Sequence, residues 1–221
     1  MSMSSRKRPF RFLDLPGEIR IKIYRLCLVF DQIIDMDPAN AQRIAPRLKL
    51  LRSCHQIHHE ASVVFYGDNR FRLFPIHPVF HKKAPLLKRL SRRCRAKITT
   101  LELCLGPGWS SPPKTWWVKP RLGLQDATAV RVLRVFVQCD PSHEVFKNFR
   151  RDESFYTSFS ASLMREIISK LPSVQAVEFG MWPSVKRSGP LMSRLADEAE
   201  QAQKVVSWDV TEEFGDDRTR A

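Results

Sequence analysis

The chain has 221 residues, of which 43% are hydrophobic, and a formal net charge of +14 at pH 7. This composition predicts a folded protein with one large core or two small ones, and no apolar run of about 18 residues predicts a membrane-spanning helix. The last 25 residues carry eight acidic and three basic side chains, so residues 1–196 have a net charge of +19, which favours acidic partners.

The N-terminal third predicts a disordered basic tail at residues 1–9 and two amphipathic helices, at residues 10–30 and 47–67. Pro16 suits the first position of the first helix, and Glu18 can reach back to the free N–H groups there. The apolar face predicted for the first helix comprises Ile19, Ile23, Leu26, Cys27 and Phe30. The apolar face predicted for the second helix comprises Leu50, Cys54, Ile57, Ala61 and Val64.

Two sequence signatures accompany these helices. The first is Leu15-Pro-x-Glu-Ile-Arg-x-x-Ile-Tyr24, and the second is Leu50-Leu-Arg-x-Cys-x-Gln-Ile-x-x-Glu-Ala61 followed by Phe65-Tyr-Gly-x-Asn69. The pair resembles an F-box, and it more closely resembles the F-box-like module at the front of many uncharacterised fungal proteins. The resemblance covers about residues 10–74, and Gly67 is placed to end the second helix.

The resemblance implies a function in protein binding. A true F-box binds the small adaptor subunit of a cullin-based ubiquitin ligase, so the chain is expected to link such a ligase to an unknown substrate protein. The expected contacts with the ligase adaptor are Leu15, Pro16, Glu18, Ile19 and Ile23. Leu50, Cys54 and Ile57 are expected to pack the module itself. Alternatively, the helices are buried against a sheet within a single domain and are structural only.

The rest of the chain predicts strands that alternate with helices. Strands are predicted at residues 71–74, 98–105, 130–137, 173–179 and 205–210. Helices are predicted at residues 79–94, 155–171 and 190–204. A brief edge strand is predicted at Ile33, Ile34 and Met36, inside an otherwise polar insert from Asp31 to Arg47. Because this alternation favours right-handed crossovers, the sheet is expected to be largely parallel.

Three of the predicted strands share one apolar skeleton: Ile98-x-x-Leu101-x-Leu103, Val130-x-x-Leu133-x-Val135 and Val174-x-x-Val177-x-Phe179. The skeleton resembles one turn of a degenerate leucine-rich repeat. The predicted fold class is therefore α+β or α/β, with F-box-like helices packed beside a small, largely parallel, irregular leucine-rich-repeat-like sheet with crossover helices. The predicted organisation is a basic tail at 1–9, an F-box-like helical module at 10–74, a repeat-like α/β region at 75–210 and an acidic disordered tail at 211–221.

The cysteines indicate the compartment. They are odd in number and widely spaced, at Cys27, Cys54, Cys94, Cys104 and Cys139. We expect reduced, buried thiols in the cytoplasm or nucleus, because the chain has no Cys-x-x-Cys pair and no N-terminal apolar stretch that predicts secretion.

The most basic stretch of the chain lies in its middle, and we refer to its eight cations as the basic cluster. They are Lys82, Lys83, Lys88, Arg89, Arg92, Arg93, Arg95 and Lys97. The cluster can bind phosphates or act as a nuclear import signal, which would make the chain a basic nuclear protein that binds nucleic acid without sequence specificity. It can equally be the solvated face of the helix predicted at residues 79–94.

Three histidines invite a functional interpretation. His55 and His59 are four residues apart, the spacing at which two imidazoles can share a metal ion, and His58 lies between them. Because no Cys or Asp is placed as a third ligand, we interpret all three as surface or half-buried histidines.

The loop at residues 106–121 contains three tryptophans among lysines, at Trp109, Trp116 and Trp117. Such a loop can stack on bases or bind a peptide, but we favour a loop that pins its own tryptophans over a sheet edge. The chain shows no Gly-x-Ser-x-Gly sequence and no phosphate-cradling glycine loop. We therefore expect a protein that is not an enzyme and needs no metal or cofactor.

Overall fold

The computed structural model of the chain describes residues 10–35, 37–76, 84–106, 116–140 and 154–209. The helices in these residues are α1 (Gly17–Leu28), α2 (Pro38–Leu48), α3 (His55–Gly67), α4 (Leu86–Arg89), α5 (Arg92–Arg95), α6 (Phe155–Lys170) and α7 (Pro190–Gln201). The strands are β1 (Arg70–Arg72), β2 (Thr100–Leu105), β3 (Val132–Val137), β4 (Ala176–Met181) and β5 (Val205–Trp208). The fold is therefore a mixture of helices and a sheet.

The five strands form one parallel sheet in chain order, β1-β2-β3-β4-β5. This confirms the prediction of a parallel sheet with β2, β3 and β4 as neighbours. The shared apolar skeleton also gives the register, because Leu101 pairs with Leu133 and Leu133 pairs with Val177. Parallel strands need crossover connections, and α6 and α7 lie in the connections that follow β3 and β4, as the sequence predicted.

One continuous apolar core joins the sheet to the N-terminal helices. Leu101 and Leu103 are two residues apart on β2, so their side chains lie on the same face of the sheet, and both are fully buried. Tyr24 of α1 and Ala61 of α3 are fully buried in that core as well. The predicted domain boundary between residues 74 and 75 stays a prediction. The sheet crosses that position, because β1 before it is hydrogen-bonded to β2 after it.

The insert from Asp31 to Arg47, predicted to be a polar excursion, contains most of helix α2. The carboxylate of Asp37 accepts a hydrogen bond from Ala39 N at 2.9 Å, and Pro38 occupies the first turn. A capping aspartate followed by proline is a strong helix start, so the signal for this helix was present in the sequence.

The edge strand predicted in the same insert is reduced to one residue. Ile34 forms a single parallel bridge with Phe71 of β1. Ile34 N donates to Arg70 O at 2.8 Å, and Arg72 N donates to Ile34 O at 2.9 Å. Ile34 therefore covers the outer edge of β1, while Met36, the third residue of the predicted strand, lies outside the described residues.

The single helix predicted at residues 79–94 is wrong for the part that the structure describes, which contains the two short helices α4 and α5. The backbone of Leu90 is extended between them, with φ −77° and ψ 146°. Ser91 Oγ then accepts a hydrogen bond from Cys94 N at 3.3 Å and starts α5. A serine in a helical pattern can start a new helix because its hydroxyl competes for backbone N–H groups.

None of the helices in the described ranges is long and apolar enough to cross a membrane. The tails predicted at residues 1–9 and 211–221 lie outside the described residues.

Candidate interaction surface on the first helix

The side of α1 that faces the core carries Arg20, Tyr24 and Leu28, spaced four residues apart. Arg20 Nε donates to Glu60 Oε2 at 2.9 Å and Arg20 Nη2 donates to Glu60 Oε1 at 2.6 Å. Tyr24 OH donates to Glu60 Oε2 at 3.0 Å. Hydrogen bonding from Arg20 lowers the pKa of Glu60 to about 2, while burial raises the pKa of Tyr24 to about 12. The inward face of α1 is thus partly polar and bonded to α3.

Arg20 also fixes the chain that leads into α1. Its Nη1 donates to Leu15 O at 2.5 Å and to Leu13 O at 3.3 Å. The helix predicted at residues 10–30 spans only Gly17–Leu28. Pro16 precedes it instead of occupying its first position, and no side chain, including that of Glu18, caps it. The guanidinium of Arg20 therefore positions the Leu-Pro turn that precedes the helix.

Asn69 joins the ends of α1 and α3. Its Oδ1 accepts from Phe30 N at 2.9 Å, and its Nδ2 donates to Leu28 O at 2.7 Å and to Phe65 O at 2.8 Å. Since the last carbonyls of a helix have no partner within the helix, one buried amide satisfies both helix ends. This bonding gives a physical role to the asparagine of the Tyr-Gly-x-Asn sequence.

Only part of the predicted apolar face of α1 packs against the core, namely the half-buried Cys27 and Phe30. The fully buried residues are Tyr24 and Leu28, whereas Ile19 is 40% exposed and Leu26 is 83% exposed. The core accepts a tyrosine here because Glu60 satisfies its hydroxyl. The apolar residues at positions 19, 23 and 26 are spaced by four and three, so they form one stripe on the outside of the helix. We refer to Ile19, Ile23 and Leu26 as the outer stripe.

The residues predicted to contact a ligase adaptor lie together at the start of α1. Pro16, Glu18 and Ile19 are exposed, and Leu15 and Ile23 are half-buried. Sequence reasoning missed two exposed apolar neighbours, Leu13 in the preceding 3-10 turn and Phe10 before it. They precede the Leu-Pro signature, where no helical periodicity marks a face.

The second helix, predicted at residues 47–67, begins only at His55, because residues 47–48 belong to α2 and residues 49–52 form a 3-10 turn. Leu50 of the predicted apolar face lies in that turn and is half-buried. Ile57, Ala61 and Val64 are buried, and Gly67 ends the helix as predicted. Cys54 is exposed because it caps the helix, with its Sγ accepting from Ile57 N at 3.5 Å.

The basic cluster divides into exposed and structural members. Lys88, Arg89, Arg92 and Arg93 are exposed, and Lys82 and Lys83 lie outside the described residues. Arg92 Nε lies 3.0 Å from Asp126 Oδ1. Lys97 Nζ donates to Ser62 Oγ at 2.5 Å. A free basic surface therefore contains fewer residues than the sequence predicted.

Arg95 is the structural centre of that region. Its Nη2 donates to Asp126 Oδ2 at 2.8 Å and its Nη1 donates to Leu90 O at 2.7 Å. Gly123 lies against the guanidinium with φ +80°, and a Cβ there would stand 2.6 Å from Arg95 Nε. Arg95 thus ties α5 to the chain that leads into β3 and is not available to a partner.

A row of charged residues crosses the sheet at one register position, and we refer to it as the charge row. Its members are Arg72 on β1, Glu102 on β2, Arg134 on β3 and Glu178 on β4. Arg134 and Glu102 are fully buried. Each member stands between two apolar residues of its strand and the sign alternates from strand to strand. The sequence therefore carried a signal for this row, which becomes visible only when the strands are set side by side in register.

The arginines of the charge row each lie between two carboxylates. Arg72 Nη1 lies 2.8 Å from Asp35 Oδ2, and Arg72 Nη2 lies 3.1 Å from Glu102 Oε1. Arg134 Nη2 lies 2.6 Å from Asp209 Oδ2, and its Nε lies 3.9 Å from Glu178 Oε1. Charges that are buried and paired in this way are structural partners of one another.

The cysteines are free thiols, but not all are buried as predicted. Cys104 is buried and Cys54 is exposed, and the other three are half-buried. Burial raises the pKa of Cys104 to about 12 and that of Cys139 to about 11. These two thiols therefore stay protonated at neutral pH and are poor nucleophiles.

The histidines and tryptophans divide as follows. His55, His58 and His59 are exposed, and no group of three metal-binding side chains occurs among the described residues. Trp116 is buried and stacks on Phe74 with 5.5 Å between ring centroids, as the pinned loop predicts. Trp117 is exposed, and Trp109 lies outside the described residues.

No family model, no curated protein and no solved structure matches this chain. The fold and the bonds between α1 and α3 define a parallel α/β protein whose N-terminal helices share the core of its sheet.

Proposed function

We propose that the chain is a non-enzymatic protein-interaction protein of the F-box-like type, which uses the outer stripe of α1 to bind the small adaptor subunit of a cullin-based ubiquitin ligase. The observation that supports this most strongly is the outward position of Ile19 and Leu26, which are 40% and 83% exposed. Full burial of such a side chain in an interface stabilises a complex by about 1.5–3 kcal/mol. The stripe therefore supplies an apolar anchor on an otherwise charged helix.

The rigidity of α1 supports the same proposal. The two bonds from Arg20 to Glu60 and the bonds of Asn69 hold both ends of α1 against α3. A helix held in this way loses little conformational freedom when a partner binds its outer face. Docking of a helix face through apolar residues at these spacings is a common recognition mode.

The sheet fits the second half of the proposal, which is a repeat-like platform for a substrate protein. The aligned Leu101, Leu133 and Val177 support the resemblance to irregular leucine-rich repeats.

Two described groups of the kind that catalysis needs are engaged in structure, since the Glu60 carboxylate is paired and the Cys104 thiol is buried. We place the protein in the cytoplasm or nucleus, where the ligase acts.

A second candidate function has its own supporting observation. The N-terminal helices share one apolar core with the sheet, which is what the purely structural interpretation of these helices predicts. The two interpretations differ at the outer stripe, because a structural helix needs no partner there.

The experiment mixes the purified chain with the purified ligase adaptor subunit and follows co-elution on a sizing column. We expect a complex that the double variant Ile19→Asp, Leu26→Asp abolishes without a loss of thermal stability. Trp117→Asp with Phe155→Asp is the matched control, because these two apolar side chains are 63% and 42% exposed and lie outside α1. If the wild-type chain forms no complex, or if both variants weaken it equally, the recruitment proposal fails.

A further inference from the structure

An open depression of about 660 Å³ lies beside the last strand of the sheet, and we refer to it as the edge groove. Its walls include Lys186 and Arg187 from the loop before α7, Ala196 and Asp197 from α7, and Trp208 from β5. The groove thus lies between α7 and β5.

No strand in the described part of the chain pairs with the outer side of β5. Among the described strands β5 is the last in the sheet order. Val205 N and Asp209 N donate to carbonyls on the β4 side, at 3.0 Å and 2.8 Å. Because alternate residues of a parallel strand bond to opposite sides, Val206 and Trp208 direct their N–H and C=O groups away from β4. An extended segment can add to such an edge as a further strand.

The two edges of the sheet differ. The outer edge of β1 is covered by Ile34, whose backbone makes two hydrogen bonds to β1. The described residues place no such cover over β5. A strand edge that the described residues leave unpaired beside a formed groove can accept a further strand.

We propose that the edge groove binds an extended acidic segment of a partner protein, which adds to β5 as a sixth strand. The guanidinium of Arg187 lies 4.0 Å from the centroid of the Trp208 ring, and Lys186 is exposed beside it. Neither cation is within salt-bridge distance of a carboxylate in the described part of the chain, and together they outnumber Asp197. Acidic side chains of the segment are therefore favoured at this end of the groove.

The remaining wall sets a second requirement. Ala196 is half-buried, and the ring of Trp208 packs on Phe179 of β4 with 5.1 Å between ring centroids. Together Ala196 and Trp208 offer an apolar surface to a side chain on the same face of the added strand. The segment that fits the groove therefore carries an apolar residue and an acidic residue two positions apart, because alternate residues of a strand share a face.

The edge groove is separate from the outer stripe of α1. The groove lies at β5, whereas the N-terminal helices lie at the β1 edge that Ile34 covers. Variants of the two surfaces can therefore fail separately.

The test uses the full chain, labelled with ¹⁵N, and an eight-residue peptide that alternates threonine with glutamate. One leucine replaces a glutamate of this peptide, so that the leucine and the remaining glutamates share a face. We expect amide shifts confined to residues 186–188, 193–197 and 205–208, with slower hydrogen exchange at Val206 and Trp208. A peptide with glutamine in place of glutamate should bind about tenfold more weakly, because its neutral amides lack the negative charge that pairs with Lys186 and Arg187. Equal binding of both peptides, or shifts elsewhere on the chain, would overturn the proposal.

Matched charge reversals separate the groove from general attraction to a basic protein. Lys186→Glu with Arg187→Glu should weaken binding of the acidic peptide about tenfold, whereas Lys88→Glu with Arg93→Glu, the same change in net charge, should leave it almost unaltered. Equal weakening by both pairs would show general charge attraction and overturn the proposal. Binding of the peptide only after removal of residues 210–221 would also overturn the proposal. So would a dimer of the chain that Lys186→Glu with Arg187→Glu dissociates, because the groove would then hold a second copy of the chain.

Discussion

Arg20 on α1 and Glu60 on α3 form a two-point ion pair that joins the two N-terminal sequence signatures. The bonds are 2.9 Å and 2.6 Å long and connect residues 40 positions apart. Tyr24 adds a third bond to the same carboxylate. These residues of the signature therefore hold the two helices together, and they turn the apolar residues of the outer stripe away from the core.

The first prediction concerns the acid stability that Glu60 provides. Its pKa is lowered from 4.5 to about 2 in the folded chain, first by hydrogen bonding from Arg20. A lowered pKa stabilises the fold above about pH 4.5, and this contribution disappears as the pH falls toward 2. Glu60→Gln should therefore lower the free energy of unfolding at pH 7. Between pH 5 and pH 3 the free energy of unfolding should decrease less in the variant than in the wild type. Urea unfolding at a series of pH values measures both, and parallel curves for wild type and variant would contradict the assignment.

The second prediction concerns the charge row. Arg72→Met removes the cation between Asp35 and Glu102, and removal of one member of a buried ion pair costs about 3–5 kcal/mol. Arg131→Met is the control, because Arg131 is exposed and its replacement should cost less than about 0.5 kcal/mol. Chemical denaturation compares the two. Equal, small effects would show that the charge row contributes little to stability.

The third prediction uses two glycines in different settings. Gly123→Ala should destabilise the fold by about 1–3 kcal/mol, because the backbone there has φ +80° and a Cβ would meet Arg95. Gly17→Ala, in the first turn of α1, has room for a Cβ and should raise stability by up to about 1 kcal/mol. Thermal melting distinguishes them, and a shift of the same sign for both would count against the left-handed turn at Gly123.

The fourth prediction concerns the basic cluster. Replacement of Lys88, Arg89 and Arg93 by alanine should weaken binding to all nucleic-acid sequences alike. The slope of log affinity against log salt concentration should become less steep by about 0.9 for each phosphate that is no longer neutralised. Arg95→Ala should instead lower thermal stability, because Arg95 holds Asp126 and Leu90 O. Fluorescence anisotropy with two unrelated duplexes measures the binding. Tight binding to one sequence at raised salt would move the nucleic-acid function ahead of the adaptor function.

Much of the sheet could be predicted because its strands carry their pattern locally. The apolar residues around Leu101, Leu133 and Val177 repeat with one spacing, so their alignment in the sequence is also their register in the sheet. The prediction of one helix at residues 79–94 was wrong because Ser91 caps a second helix within the apolar pattern. A cap of this kind competes with helix continuation, and apolar spacing alone does not show which of the two wins.

The orientation of α1 could not be predicted from hydrophobicity alone. The apolar face at Ile19 and Leu26 fitted either a partner or the core, and the core side proves to be set by Arg20 and Tyr24, whose partner Glu60 lies 40 residues away from Arg20. A polar residue can face inward only if a distant group satisfies it, and sequence periodicity does not contain that information. The same distance in sequence hid the pairing of Asn69 with the end of α1.

The most direct test of adaptor binding is the affinity of the chain for the ligase adaptor subunit, measured by titration calorimetry with wild type and with the Ile19→Asp, Leu26→Asp variant. Because Ile19 is only 40% exposed and Leu26 is 83% exposed, burial of their remaining surface is worth about 2–4 kcal/mol together. The variant should therefore bind at least about twentyfold more weakly, with the fold intact. Unchanged affinity, or no binding by the wild-type chain, would contradict the claim that the outer stripe is an adaptor-binding surface.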